Sequence, residues 1–295
     1  MNHVVVLIAD SKSGLAPEVV ETVRTATGGG EERWLRNGVA CDIPLQSPVA
    51  EPKSLAADIR AGLSGMAVDV AILPADNRRK SLLIADMDST IIGQECIDEL
   101  ADMVGLKAHV AAITERAMRG EIAFEPALRE RVALLKGIDL ETIRRLIDER
   151  ITLNPGAETL IRTMRAHGAH TALVSGGFSL FTSRIAALVG FDENRANELL
   201  LEGDRLVGLV REPILGRDAK REALLELTAA AGISKDAAIA VGDGANDLAM
   251  LQEAGLGVAY HAKPAVADAA DIRIDHGDLT ALLYVQGYRN ADFVS

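Results

Sequence analysis

Short apolar runs alternate with stretches of helical periodicity at the start of the chain. Strands are predicted from the apolar runs at 4–9, 34–45 and 68–73. The middle run is long enough for one or two strands. Two intervening stretches predict helices, at 17–26 and 55–63. Pro17 suits the first turn of the earlier helix. The order β-α-β-β-α-β predicts a small α+β unit with its helices on one sheet face.

Further along, each apolar run ends at a polar cluster. The runs that predict strands lie at 82–85, 171–174, 237–241, 256–259 and 272–274. Helical stretches separate them, which predicts an α/β fold with a doubly wound, Rossmann-like parallel sheet. Ligands of such sheets bind beyond the carboxyl ends of the strands, so these polar clusters are the candidate functional residues.

The polar, basic stretch 74–80 separates the two patterns and predicts a domain boundary. We therefore expect an α+β domain at 1–79 and an α/β domain at 80–295. Residues 94–153 are almost wholly helical in pattern, which predicts a helical cap at about 93–153, inserted after the first strand of the α/β domain. A β-hairpin is predicted at 199–210, with Gly203-Asp204 at its turn.

Composition narrows the class of partner. The 295 residues carry a net charge of −12, which argues against a nucleic-acid partner because phosphate backbones attract Lys and Arg. No apolar stretch reaches the roughly 20 residues of a membrane span. Cys41 and Cys96 match no metal-ligand spacing, and the start of the chain has no basic leader. These features predict a cytoplasmic protein without a membrane partner.

Two carboxylates follow the first α/β strand, in Asp86-Met87-Asp88-Ser89-Thr90. Residues two apart point to one side of an extended chain, so both can reach one electrophile. One can attack as a carboxylate while the other, held protonated, donates to the leaving oxygen. Asp and Ser are also common in turns and at helix caps, so this motif alone leaves a capping role open.

Two further clusters are weaker alone. In Ser175-Gly176-Gly177-Phe178 a hydroxyl and the N–H groups of two glycines can approach an anion, although such turns are commonplace. Lys220 can neutralise charge on a transferring phosphoryl group, or it is a solvated lysine at a helix start.

The fourth cluster is Gly242-Asp243-Gly244-Ala245-Asn246-Asp247. Carboxylates four residues apart around a tight turn suit Mg²⁺, which takes one or two carboxylates plus waters and phosphate. The alternative is a pair of acids at a helix N-terminus. Together the four clusters offer a nucleophile pair, a phosphate cradle, a counter-charge and a metal site. Phosphoryl transfer needs these parts, because its catalysis is mainly positioning and charge stabilisation.

The four motifs, in this order, resemble those of the haloacid dehalogenase superfamily, most closely its phosphoserine phosphatase branch, from about Ser81 onward. The resemblance implies that Asp86 is a nucleophile forming an aspartyl-phosphate and that Asp88 is the general acid, then the base. It also implies a Mg²⁺ site formed by Asp86, the Asp88 carbonyl and Asp243, with Asp247 in support. The residues implied to hold the phosphoryl oxygens or order the site are Ser175, Gly176, Lys220 and Asn246.

Three cap positions match residues that surround the amino-acid end of the substrate in that branch: Glu95, Phe124 and Arg131. Glu95 can receive an ammonium and Arg131 can grip a carboxylate with two parallel hydrogen bonds. Pro126 predicts that Phe124 precedes the helix. The alternatives are a first-turn acid for Glu95, a cap-core residue for Phe124, and for Arg131 an ion pair with an acid such as Glu130 or Glu141.

The expected function is Mg²⁺-dependent hydrolysis of O-phospho-L-serine to serine and phosphate, the last step of serine biosynthesis. One alternative is a phosphatase or phosphotransferase acting on another small phosphomonoester. Another is an amino-acid sensor without catalysis. The first 79 residues resemble ACT-type modules in element order alone, so serine sensing, dimerisation and a solubility role stay open. A homodimer is one hypothesis.

Overall fold

The computed structural model describes residues 2–10, 12–119, 121–216 and 218–294. At the start of the chain the elements follow the predicted order. They are β1 (His3–Ala9), α1 (Pro17–Thr27), β2 (Arg33–Arg36), β3 (Ala40–Pro44), α2 (Pro52–Gly62) and β4 (Val68–Pro74). The strands form an antiparallel sheet in the order β2-β3-β1-β4. Both helices pack on one sheet face, where Val20 and Ile59 join the inward residues of the strands.

The rest of the chain is built around a parallel sheet. Its strands and the hairpin are β5 (Leu82–Ala85), β6 (His170–Phe178), β7 (Glu193–Asn197), β8 (Leu199–Glu202), β9 (Arg205–Val210), β10 (Ala238–Gly242), β11 (Leu256–Tyr260) and β12 (Ile272–Ile274). The sheet has six strands in the order β12-β11-β10-β5-β6-β7, and β8 pairs with β9. Alternate residues of β5, such as Leu83 and Ile84, enter different apolar clusters, so both faces are covered. The predicted α/β class is confirmed.

The helices of this part fall into two groups. The first group is α3 (Cys96–Met103), α4 (Lys107–Met118), α5 (Phe124–Leu134) and α6 (Leu140–Arg150). These four lie in the predicted cap segment. The second group is α7 (Ala157–Ala166), α8 (Ser179–Val189), α9 (Ala219–Ala231), α10 (Leu248–Glu253), α11 (Pro264–Ala269) and α12 (Ala281–Val285). Within the described ranges, no helix is both long enough and apolar enough to cross a membrane.

One local prediction was wrong, and one strand was not predicted. Phe124 does not precede its helix but begins α5. Pro126 is tolerated as the third residue because an N–H there lacks an intrahelical partner anyway. The strand β7 was not predicted, since its sequence Glu-Asn-Arg-Ala-Asn is polar. It forms the edge of the sheet, where one side of the strand meets solvent.

The cap is joined to the sheet at two crossing segments and at the hairpin. Ile92 pairs with Leu153 where the chain enters and leaves the cap, and Asn154 Nδ2 donates to the Thr90 carbonyl at 2.8 Å. On the other side, Leu206 of β9 exchanges backbone hydrogen bonds with the loop between α5 and α6, namely Gly137 N to Leu206 O and Leu206 N to Ile138 O, both 2.8 Å. The hairpin is therefore bonded to the cap.

The N-terminal sheet packs its other face on the α/β part, and Val4, Val6 and Ile8 of β1 share a core with it. The buried Arg78 donates to both carboxylate oxygens of Asp42, at 2.6 and 3.1 Å, and to the carbonyls of Tyr284 and Val285 at the end of α12, both at 2.9 Å. Asp69 accepts the N–H groups of Asp275, His276 and Gly277. These contacts fix the N-terminal sheet against the α/β part.

Candidate active site

The site lies at the carboxyl end of the central strand β5. Asp86 follows this strand directly, and its N–H donates to the Val241 carbonyl of β10 at 3.0 Å. The chain then turns tightly through 87–91, where Ser89 adopts a left-handed φ of 55°. Because β6 and β10 flank β5 in parallel, their carboxyl ends bring Ser175 and Asp243 to the same sheet edge.

Three carboxylates meet at this edge. Asp86, Asp243 and Asp247 each offer an oxygen within 4.8 Å of the others. Lys220, at the start of α9, places Nζ 2.6 Å from both Asp86 Oδ1 and Asp247 Oδ1. The lysine is 3% exposed, so the interpretation of Lys220 as a solvated helix-start residue is wrong. One buried cation bridges two of three clustered carboxylates, which leaves excess negative charge.

Asp247 is held by the turn that precedes it. Its Oδ2 accepts the Gly244 N–H at 2.9 Å. An ideal Cβ on Gly242 would lie 2.4 Å from Asp247 Cγ, so only glycine leaves room for this carboxylate. Asn246 is exposed on the same turn, and its carboxamide folds over Gly244. The turn thus aims Asp247 inward and Asn246 toward the outside.

The clustered charges perturb one another. Burial, reinforced by the charge of Asp247, raises the pKa of Asp86 well above its usual range, although Lys220 opposes this. The same two causes raise the pKa of Asp243 to about 6. Burial alone would lower the pKa of Lys220, but Asp86 and Asp247 outweigh it and raise that pKa. Carboxylates held this close favour a bound dication, and all-oxygen donors suit Mg²⁺.

Asp88 has a different environment from Asp86. Burial, and then the charge of Glu95, raise its pKa to about 7. Its Oδ1 accepts a long hydrogen bond from Cys96 N at 3.4 Å. On its other side, Oδ2 lies 3.3 Å from where a Cβ on Gly177 would sit. A carboxyl group that titrates near neutrality can both give and take a proton, as an acid–base catalyst must.

Ser175 and its two glycines lie inside β6 rather than after it, which differs from the predicted strand end. Pairing with β7 is irregular between Val174 and Phe178, so this stretch bulges from the sheet. Ser175 Oγ accepts the Gly177 N–H at 2.9 Å. The ring of Phe124 lies 3.6 Å from where a Cβ on Gly176 would sit. The cap therefore contacts the segment Ser175-Gly176-Gly177, the predicted phosphate cradle, at this point.

The cap segment carries two side chains of opposite charge, Glu95 and Arg131, that lie close enough to influence each other. Glu95 is exposed and accepts from Ser89 Oγ at 2.8 Å, while Arg131 is partly buried on α5. Burial lowers the pKa of Arg131, and the acids Asp98 and Glu95 oppose the shift. The proposed ion-pair partners of Arg131 bond elsewhere: Glu130 accepts from Arg116 at 3.0 Å, and Glu141 lies 3.6 Å from Arg144.

Sequence reasoning missed two residues near the site. Asp98 lies one helical turn after Glu95, and the spacing of three could have placed both acids on one face of α3. Asn197 is 2% exposed at the end of β7 and donates to the Gly176 carbonyl at 2.9 Å. No spacing signal marks it, because the strand that carries it was not predicted.

Comparison with known proteins relates this site to a family. The sequence profile of the haloacid dehalogenase-like hydrolases matches residues 83–252. A phosphoserine phosphatase from Albidiferax ferrireducens is 50% identical over 207 residues, which span 68% of this chain and 87% of that protein.

Solved structures agree. A HAD-family hydrolase from Salmonella enterica serovar Typhi superposes with a TM-score of 0.87 at 28% identity, covering 96% of this chain and 98% of that one. A substrate-bound phosphoserine phosphatase superposes with a TM-score of 0.65 at 39% identity, covering 70% of this chain and 98% of that one. The first similarity takes in most of the N-terminal sheet as well as the α/β part.

Proposed function

The chain belongs to the haloacid dehalogenase-like hydrolase family, and from that premise we propose that it is a Mg²⁺-dependent phosphoserine phosphatase. The observation that carries the proposal is the pair Asp86 and Asp88 at the end of the central strand. Asp86 faces Lys220 and two further carboxylates, whereas Asp88 faces Glu95 of the cap. Two carboxyl groups in such different settings suit two different roles.

In the first step the Asp86 carboxylate attacks phosphorus and the bond to the serine oxygen breaks. Asp88 donates its proton to that oxygen, so serine leaves as a neutral alcohol. In the second step Asp88 takes a proton from water, whose oxygen attacks the aspartyl-phosphate. Inorganic phosphate departs and Asp86 is again a carboxylate. A group with a pKa of about 7 serves in both steps, because neither protonation state is costly near neutral pH.

We assign the metal to the carboxylate cluster. Asp86, Asp243 and the Asp88 carbonyl would hold Mg²⁺, with Asp247 in support. When bound, Mg²⁺ neutralises charge that develops on the phosphoryl oxygens. Lys220 then keeps Asp86 and Asp247 in place and offers a second positive charge to the phosphoryl group.

Ser175 and Gly176 would bind the remaining phosphoryl oxygens, and Asn246 would help to order the metal-binding turn. The substrate's amino acid would lie under the cap. We assign its ammonium to Glu95 and its carboxylate to Arg131, with Phe124 covering the cradle. Asp98 would hold Arg131 in place by charge.

The test is phosphate release from O-phospho-L-serine with Mg²⁺, compared with sugar phosphates. Asp86→Asn should abolish turnover, because an amide does not attack phosphorus; the exposed cap acid Asp148 gives the control Asp148→Asn, expected to keep full activity. Undiminished turnover by Asp86→Asn would refute the nucleophile.

A second comparison tests the substrate. Arg131→Ala should lower kcat/KM for phosphoserine by about 10- to 100-fold, since a hydrogen bond between charged groups contributes about 1.5–3 kcal/mol. Arg129, two residues earlier on α5, is 48% exposed and pairs with Glu212. Arg129→Ala should therefore change kcat/KM less than twofold. An equal loss for a phosphate ester without a carboxylate would contradict the assignment of Arg131.

We further propose that residues 1–79 form a regulatory or dimerising domain and that the enzyme acts in the cytoplasm on the last step of serine biosynthesis. Isothermal calorimetry of the full chain with serine tests the regulatory role: heat of binding that survives Arg131→Ala would come from a second site. Sedimentation of the full chain tests dimerisation.

A further inference from the structure

Asn197 lies between two segments that approach the phosphate site. Its Nδ2 donates to the Gly176 carbonyl at 2.9 Å and to the Leu215 carbonyl at 3.4 Å, and its Oδ1 accepts the Leu215 N–H at 2.8 Å. The side chain is 2% exposed. A carboxamide offers two donor hydrogens and one acceptor oxygen, and all of these groups are engaged. One buried side chain therefore ties the phosphate cradle to the segment that leads to Lys220.

The bond to Gly176 reaches Ser175 through one peptide unit. The Gly176 carbonyl and the Gly177 N–H belong to the same planar peptide and point in opposite directions. That N–H donates to Ser175 Oγ at 2.9 Å. The hydrogen bond from Asn197 to the Gly176 carbonyl therefore also fixes the direction of the Gly177 N–H. Because Ser175 Oγ accepts this N–H, its own hydrogen is left to donate to a phosphoryl oxygen.

The cradle needs such an external hold. Gly176 and Gly177 lack a Cβ and have the widest backbone freedom of any residue. Regular backbone hydrogen bonds between β6 and β7 do not hold these glycines either, because the pairing of the two strands shifts register between Val174 and Phe178. The side chain of Asn197 supplies a hydrogen bond to Gly176 in place of the missing strand pairing.

We propose that Asn197 is a positioning residue that aims the Ser175 hydroxyl at the transferring phosphoryl group through the Gly176–Gly177 peptide. It acts at one remove from the substrate. The inference rests on the proposed phosphatase function, since it names the group that Ser175 serves.

The test uses Asn197→Ala beside Asn194→Ala, a matched control on the same strand. Asn194 Oδ1 accepts from Thr182 Oγ1 at 2.8 Å and has no bond to the cradle. Asn197→Ala should lower kcat/KM and weaken inhibition by inorganic phosphate, each by about 10- to 100-fold, because the Gly176 carbonyl loses its hydrogen bond and no longer holds the glycine peptide in place. Asn194→Ala should change both quantities less than twofold.

A double-mutant cycle with Ser175→Ala separates positioning from a general loss of structure. Without the hydroxyl only the Gly176 contact to the phosphoryl group is left, so Asn197→Ala should lower kcat/KM and phosphate inhibition markedly less in that background than in wild type. Equal losses in the two backgrounds would overturn the proposal, as would wild-type phosphate inhibition in Asn197→Ala. If that variant does not fold, Asn197→Asp, which keeps the acceptor for Leu215 and removes the donor to Gly176, takes its place in the same cycle.

The substrate can be wrong without affecting this result. The cycle is run with p-nitrophenyl phosphate as well as phosphoserine, and phosphate binding is measured by calorimetry. Failure of wild type on phosphoserine alone would refute the proposed substrate. Additive losses on p-nitrophenyl phosphate and unchanged phosphate binding would refute the role of Asn197.

Discussion

Gly242 gives a sharp test of how the proposed metal site is built. It ends β10 with a φ outside the left-handed region, so alanine is allowed by its backbone. The added methyl group would instead meet the Asp247 side chain, at 2.4 Å from Cγ, 2.5 Å from Oδ2 and 2.7 Å from Cβ. We predict that Gly242→Ala damages activity by displacing this one carboxylate.

The size of the effect follows from these distances. Carbon atoms in contact lie about 3.5–4.0 Å apart, so the Asp247 carboxylate must move by roughly 1 Å. Its hydrogen bonds to Lys220 Nζ, now 2.6 Å, and to Gly244 N, now 2.9 Å, do not survive such a shift unchanged. A 1 Å misplacement in an active site costs about 100-fold in rate. Overpacking should also lower the free energy of unfolding by about 1–3 kcal/mol.

The assay is kcat/KM for phosphoserine together with a Mg²⁺ titration and a denaturation curve. Gly62 is the matched control: it lies at the end of α2, its φ is ordinary, and nothing lies within 4 Å of the added Cβ. Gly62→Ala should keep full activity and stabilise the fold by about 0.5–1 kcal/mol. Activity within twofold of wild type in Gly242→Ala would refute the claim that this glycine makes room for Asp247.

Three further outcomes are expected. Arg78→Ala should lower the free energy of unfolding by about 3–5 kcal/mol, because it leaves the fully buried Asp42 without its buried partner. Arg33 is a 58% exposed partner of the same Asp42, so Arg33→Ala should lower the free energy of unfolding by under about 1 kcal/mol. Equal losses for the two variants in denaturant titrations would contradict this. Chelation of Mg²⁺ should abolish turnover, and Mg²⁺ at 100 times its Kd should add about 2.7 kcal/mol of stability, a gain measured by thermal unfolding and absent in Asp243→Asn. Asp69→Asn should cost about 1.5–3 kcal/mol in the same measurement, since an amide nitrogen would face backbone N–H groups; an unchanged midpoint would contradict that role.

The sequence was sufficient for residues whose position follows from strand ends. Asp86 and Asp243 come directly after buried apolar runs, and parallel strands bring such ends together. Lys220 is different, because its burial depends on how α9 packs against the turn that holds Asp247. The pattern around Lys220 alone left a solvated lysine as an alternative, and only its combination with the other three clusters gave it a role.

Asn197 shows a limit of another kind. Strands are recognised in a sequence by an alternation of buried apolar and exposed polar residues. The sequence of β7, Glu-Asn-Arg-Ala-Asn, has no such alternation. Its position in the fold comes from pairing with β6, a contact between distant residues that no local pattern encodes. The backbone hydrogen bonds of Leu206 to the cap are likewise contacts between distant residues. The hairpin itself was predicted, but its attachment to the cap could not be.

The N-terminal sheet is the part whose role changes most once its contacts are considered. As a separate module it would have one open face on which to bind a ligand or a second copy. In the fold one face carries α1 and α2 and the other packs on the α/β part, so neither face of the sheet itself is open to a partner. Asp69 holds the turn at 275–277, and shortly after it Leu279 N donates to the Pro155 carbonyl at 3.0 Å. Pro155 follows Asn154, the residue that pins the exit from the cap. The sheet therefore supports the turn at 275–277 and, through Leu279 and Pro155, the segment at which the cap ends.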